Sequence, residues 1–137
     1  MHQEALQFAT FECPGFETEA AVERARHDRT LGWDRPDSER APSLGLALAT
    51  ELARLLAPAG VMVKLDVEYY AIRLLLERGA VNAPMQLSSS DGESWSIGSF
   101  WLRQDWDLLD ELAAAIRALP GVSEIEWWKE RPASANP

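Results

Sequence analysis

Hydrophobic residues recur along this chain at two spacings, every second residue and every third or fourth, and the switches between them mark out its elements. Residues 4–12 read as a strand, with Leu6 and Phe8 on one face and Phe11 near its end; Pro14-Gly15 breaks it. Thr18 is placed to cap a short helix over 19–28, which has only Ala21, Val22 and Ala25 as an apolar side. Ser43 opens a stronger helix over 44–57. Leu44, Leu48, Leu52 and Leu55 or Leu56 recur at helical spacing there, and Pro58 with Gly60 ends it. Val61, Val63 and Leu65 then alternate with Met62, Lys64 and Asp66 as a half-buried strand.

The next stretch, DVEYYAIRLLLERGA, admits two readings. A helix from Asp66 to Gly79 is allowed by propensity but would be apolar all round. As a strand over 68–77 it alternates Tyr70, Ile72, Leu74 and Leu76 against Tyr69, Ala71, Arg73 and Leu75, and the strand is favoured, with ERGA as a hairpin loop. Val81, Ala83, Met85 and Leu87 alternate next. Asp91-Gly92 signals a hairpin, and Trp95, Ile97 and Trp101 alternate on the return strand. Asp105 caps a helix over 106–118 with Leu108, Leu109, Leu112, Ile116 and Leu119 on one stripe; Pro120-Gly121 stops it, and VSEIEWW is the last strand. The order β-α-loop-α-β-β-β-β-α-β predicts a single α+β domain over 1–137. Its form is a two-layer sandwich, with a mostly antiparallel sheet and helices on one face. The polar stretch 29–42 reads as a flexible loop and 132–137 as a frayed tail.

Charge narrows the partners. The chain carries −9 at a sequence pI of about 4.7, a field that repels phosphate backbones and anionic membranes, so nucleic acid is not expected as a direct partner. Residues 23–40 hold five acids and five arginines, so the net −9 comes from the segments on either side, −4 before and −5 after. A lone Cys13 suits a reducing compartment. With no secretory leader pattern and no long apolar run, the expected location is cytoplasmic, away from membranes.

Six tryptophans in 137 residues raise the question of a binding surface. Parity places most of them in the core. Trp95, Ile97 and Trp101 share one face of their strand, while Ser94, Ser96, Gly98, Phe100 and Leu102 take the other. Trp106 lies about 110° from the leucine stripe of its helix and should sit half-buried at the helix–sheet seam. On the last strand Ile125 and Trp127 point one way and Glu124, Glu126 and Trp128 the other. Trp128, set among glutamates, is the ring the core does not need, with Phe100 second.

Catalytic chemistry has little to stand on. One Cys and two His cannot build a zinc site of four ligands, and no nucleophile elbow, P-loop or dinucleotide fingerprint is present. Neither a cofactor nor a metal is expected. SSSDGES at 88–94 reads as polar residues around a turn, and His27-Asp28 with Arg24 and Arg26 as a solvated helix end.

Two functions from different classes remain. The first is a non-catalytic interaction module that meets a basic protein through Glu124, Glu126, Trp128 and Phe100. The second is a small enzyme or ligand-binding domain with a pocket between the sheet and the 29–42 loop, using Arg24, His27, Trp33, Tyr69 and Tyr70. In size, charge and an α+β layout ending in a tryptophan-bearing strand, residues 43–128 loosely resemble bacterial immunity proteins that neutralise basic toxins. They also resemble small domains encoded beside secretion systems. The resemblance implies an inhibitor of a basic partner; it assigns no residue a role.

Overall fold

Period-two burial is what assembles this protein. In the computed structural model, which describes residues 6–16, 45–67, 71–89, 91–99 and 106–128, six strands form one sheet. They are β1 (Leu6–Glu12), β2 (Met62–Val67), β3 (Ile72–Arg78), β4 (Val81–Ser88), β5 (Ser94–Ser99) and β6 (Ser123–Trp127). Two helices, α1 (Leu46–Leu56) and α2 (Trp106–Arg117), pack on that sheet and on each other. The strand order is β2-β3-β4-β5-β1-β6 and every pairing is antiparallel. The fold is α+β, as the element order predicts. Strands β2 to β5 form a meander of sequence neighbours. The first strand then enters between β5 and β6.

The register turns the alternation into a continuous apolar layer. Ile72 pairs Leu87, Leu87 pairs Ile97, Ile97 pairs Ala9 and Ala9 pairs Trp127, one row running across five strands on the helix side. Leu65, Leu74 and Met85 make a second row. Leu48, Leu52 and Leu56 of α1 and Leu108, Leu109, Leu112 and Ile116 of α2 are all buried with these rows in one core. Each such side chain contributes about 1.5–3 kcal/mol when fully removed from water.

Three local readings change. The segment after Asp66 contains a strand, but it begins at Ile72, and Glu77 and Arg78 still pair with Asn82 and Val81. The hairpin loop is therefore Gly79-Ala80 alone, with Gly79 at φ 63°, rather than the four residues ERGA. Arg78 is held in the ladder because its Nη1 donates to Glu111 Oε2 of α2 at 2.7 Å and to the Ala59 carbonyl at 3.3 Å.

In β1 the register slips between Gln7 and Ala9, so Phe8 is the extra residue of a bulge and is buried. Beyond it Ala9 and Phe11, rather than Thr10, continue the core-facing series. The bulge reconciles two phenylalanines of opposite parity that both belong inside.

The N-cap of α1 is Gly45, at φ 122° with no side-chain cap bond, not Ser43. A Cβ there would lie 3.2 Å from Ile72 Cγ1 and 3.3 Å from both Leu87 Cδ2 and Trp95 Cζ3. Close approach of the backbone to the core has displaced the usual polar cap. Residues 19–28, 29–42, Ser43, Trp101, Asp105 and 132–137 lie outside the described residues.

Candidate functional site

Strand β6 leaves α2 through Pro120-Gly121, with Gly121 at φ 80°, and begins irregularly. Glu124 has φ 50°, the one described residue other than glycine with positive φ, and the β1–β6 register shifts at this point between Thr10 and Glu12. From Ile125 onward the strand is regular. Ile125 and Trp127 turn toward the core and are half-buried. Trp127 meets Phe8 edge-on, with ring centroids 5.6 Å apart. The Arg117 guanidinium carbon stands 4.7 Å from the centre of the Trp127 ring, a cation–π contact.

With those two residues anchored, Glu124, Glu126 and Trp128 are exposed. Trp128 is 57% exposed yet fixed at two points. Its backbone N–H donates to the Phe8 carbonyl at 2.9 Å, and its indole Nε1–H donates to Thr10 Oγ1 at 2.9 Å. The polar end of the ring is satisfied while its apolar body remains in water, an arrangement common at interfaces.

Beside Trp128 the sheet face opposite α1 and α2 carries a polar row, Ser88, Ser96, Thr10 and Glu126, each paired to the next across β4, β5, β1 and β6. It crosses an open depression of about 1010 Å³ whose lining includes Glu12, Ser94 and Glu124 as well. Three carboxylates and several hydroxyls face this space, and no lysine or arginine is among its described lining residues. Such a surface accepts hydrogen bonds and attracts cations.

Nucleophilic chemistry is not assembled around it. Cys13 is buried, its Sγ donates to the Pro120 carbonyl at 3.4 Å, and burial pushes its thiol up from the ordinary 9.0. Its own carbonyl accepts the buried Trp95 Nε1–H at 3.0 Å. Ser89 and Asp91 build the β4–β5 turn. Ser89 Oγ accepts from the Gly92 N–H at 2.9 Å, and Asp91 Oδ1 accepts from the N–H groups of Glu93 and Ser94 at 2.8 Å each. The backbone bonds from Ser94 and Glu93 hold the Asp91 carboxyl below the ordinary 3.8. Among the described residues no three His, Cys, Asp or Glu side chains converge as a metal site. No helix there is long and apolar enough to cross a membrane.

Of the residues singled out in the sequence, Glu124, Glu126 and Trp128 come together on one surface. Phe100 and the alternative pocket residues Arg24, His27, Trp33, Tyr69 and Tyr70 lie outside the described residues. Thr10 and Glu12 belong to the same surface and were not foreseen, because nothing local to β1 indicates that it will lie against β6. The nearest signal is the polar parity of Thr10 and Glu12 in a strand whose remaining residues, apart from Gln7, are apolar. Comparison with family models, curated proteins and solved structures finds no match to this chain.

Proposed function

We propose that this protein is a non-catalytic interaction module that binds a basic partner protein through Glu12, Glu124, Glu126 and Trp128, in the manner of an immunity-type inhibitor. The observation that carries the reading is Trp128. A 57% exposed tryptophan gains little for folding, and here its single donor is spent on Thr10 within the protein. What it leaves to a partner is a rigid apolar ring rimmed by carboxylates. Ordering the ring before encounter lowers the entropy cost of binding, and tryptophan is over-represented among residues that dominate interface energies. A cation over an indole face adds about 0.5–2 kcal/mol, which favours lysine or arginine as the visiting group.

The test is affinity capture with the full chain followed by mass spectrometry, run beside Trp128→Ala and the double variant Glu124→Lys/Glu126→Lys. A basic protein retained by the natural sequence and lost by both variants, with melting temperatures unchanged, supports the reading. Retention of the same partners by all three chains sinks it.

A further inference from the structure

The proposed surface lies on the last strand of the sheet, and the backbone of β6 suggests how that surface is engaged. Strand β6 is the last in the sheet and, among the described residues, pairs only with β1. Its Trp128 N–H points inward to the Phe8 carbonyl, and Glu126 is directly opposite Thr10. Successive residues of a strand present their main-chain groups to opposite sides, and in an antiparallel pair every second residue is bonded to the neighbour. The N–H and C=O groups of Trp127 and the C=O of Ile125 therefore face the outer edge.

The other edge of the sheet is guarded differently. Strand β2 carries Lys64 at its middle, ion-paired to Glu77 at 3.4 Å, and an edge lysine is a common defence against strand pairing. The regular part of β6, Ile125 to Trp128, carries neither lysine nor proline. Its defence is Glu126, with Glu124 at the bulge before it, and carboxylates select rather than block. A second copy pairing antiparallel on this edge would bring glutamates of like charge together on one face, which is destabilising. The chain's −9 opposes it further. A strand with lysine or arginine at every second position would meet Glu126 and the Trp128 ring on the open face. Its intervening apolar residues would extend the row of Ile125 and Trp127.

We infer that the basic partner adds an antiparallel strand to the β6 edge, with alternate cationic residues facing Glu126 and Trp128 and apolar residues facing the helix side. This rests on the proposed function and adds to it the mode of recognition, main-chain hydrogen bonds for adhesion and alternate side chains for selection.

The probe is a peptide of about eight residues alternating lysine and valine, a typical strand length, titrated into the full chain and followed by amide exchange and tryptophan fluorescence. The parent peptide should slow exchange at Trp127 and perturb the Trp128 emission. N-methylation of its valine amides, which would face β6, should weaken binding by about tenfold or more, whereas N-methylation of its lysine amides should be tolerated. Glu124→Lys/Glu126→Lys should lose the lysine peptide and take up one alternating glutamate and valine.

Equal binding of the two methylated peptides overturns strand addition while leaving the acidic-aromatic surface intact. Protection of the Trp127 amide in the free chain overturns it as well, since the edge would then be filled by the protein itself. Absence of binding by the lysine peptide, while the natural chain still captures a basic protein through Trp128, also overturns it. If neither peptide nor basic protein binds, the underlying reading fails with it.

Discussion

Two tryptophans on neighbouring parts of the sheet show how differently one residue type can be used. Trp95 is 2% exposed and its indole N–H satisfies the Cys13 carbonyl; Trp128 is 57% exposed and satisfies only a surface hydroxyl. Trp95→Phe should therefore cost about 1–3 kcal/mol, the range for a buried acceptor left without its donor, read as a lower urea midpoint at unchanged slope. Trp128→Ala should stay within about 0.5 kcal/mol, as surface substitutions do. A comparable loss in both would place Trp128 in a second core and remove the proposed site.

Cys13 gives a pH-dependent prediction at the same scale. Its folded thiol titrates above the ordinary 9.0 because burial disfavours the thiolate. The protonated form is thus preferred by the folded state. The stability it contributes is fully present below pH 9 and is lost as pH rises through the raised value. Alkylation by iodoacetamide at pH 8 should be far slower in the native protein than in urea. Rapid native labelling would show that the thiol is not sequestered.

At the scale of elements, α1 is built on an unusual start. Gly45 combines a φ of 122° with core atoms 3.2–3.3 Å from where a Cβ would sit. Gly45→Ala should destabilise by about 1–3 kcal/mol through backbone strain, with crowding in addition. Restoring a polar side chain there, Gly45→Ser, should not recover the loss, because the difficulty is space and φ rather than a missing acceptor. A Gly45→Ala protein as stable as the natural one would refute that account.

The same position shows where sequence reasoning reached its limit. Ser43 has the right chemistry for a cap, and propensity alone points to it, but the choice was made by contacts with Ile72, Leu87 and Trp95, which no local window contains. Periodicity fared better wherever one face is buried, since a slip of one residue would expose a whole strand. It therefore gives the buried and exposed faces of β4, β5 and the Ile125/Trp127 pair of β6 correctly, and those of β3 from Ile72 on. It puts Phe8 in an apolar position, and Phe8 is buried, but it does not show the bulge that lets Ala9 and Phe11 of the opposite parity join the core, because a bulge changes parity without any marker in sequence. Part of the candidate surface was legible for the same reason. Glu124, Glu126 and Trp128 follow from alternation within one strand, while Thr10 and Glu12 arrive through pairing with a strand more than a hundred residues away.

The whole molecule adds a field to that surface. A net charge of −9 on 137 residues acts on an approaching cation well before any contact forms, and counter-ions limit its reach to about 8 Å at physiological ionic strength and about 3 Å at 1 M salt. Steering of this type changes the encounter rate, whereas a well-packed aromatic ring changes how long the complex lasts. The two contributions should separate in kinetics. For the alternating lysine and valine peptide, raising salt from about 0.05 to 0.5 M should cut the association rate by about tenfold or more while the dissociation rate changes far less. Trp128→Ala should do the reverse, leaving association within about twofold and speeding dissociation by about thirtyfold, which corresponds to the 2 kcal/mol expected of a dominant interface residue. Glu124→Lys/Glu126→Lys, which changes the local charge by four units, should resemble high salt in its effect on association. Stopped-flow fluorescence of the Trp128 indole measures both rates for the natural chain and the charge variant; a dye on the peptide reports them for Trp128→Ala. An association rate indifferent to salt would mean that the acidic surface plays no part in recruiting its partner.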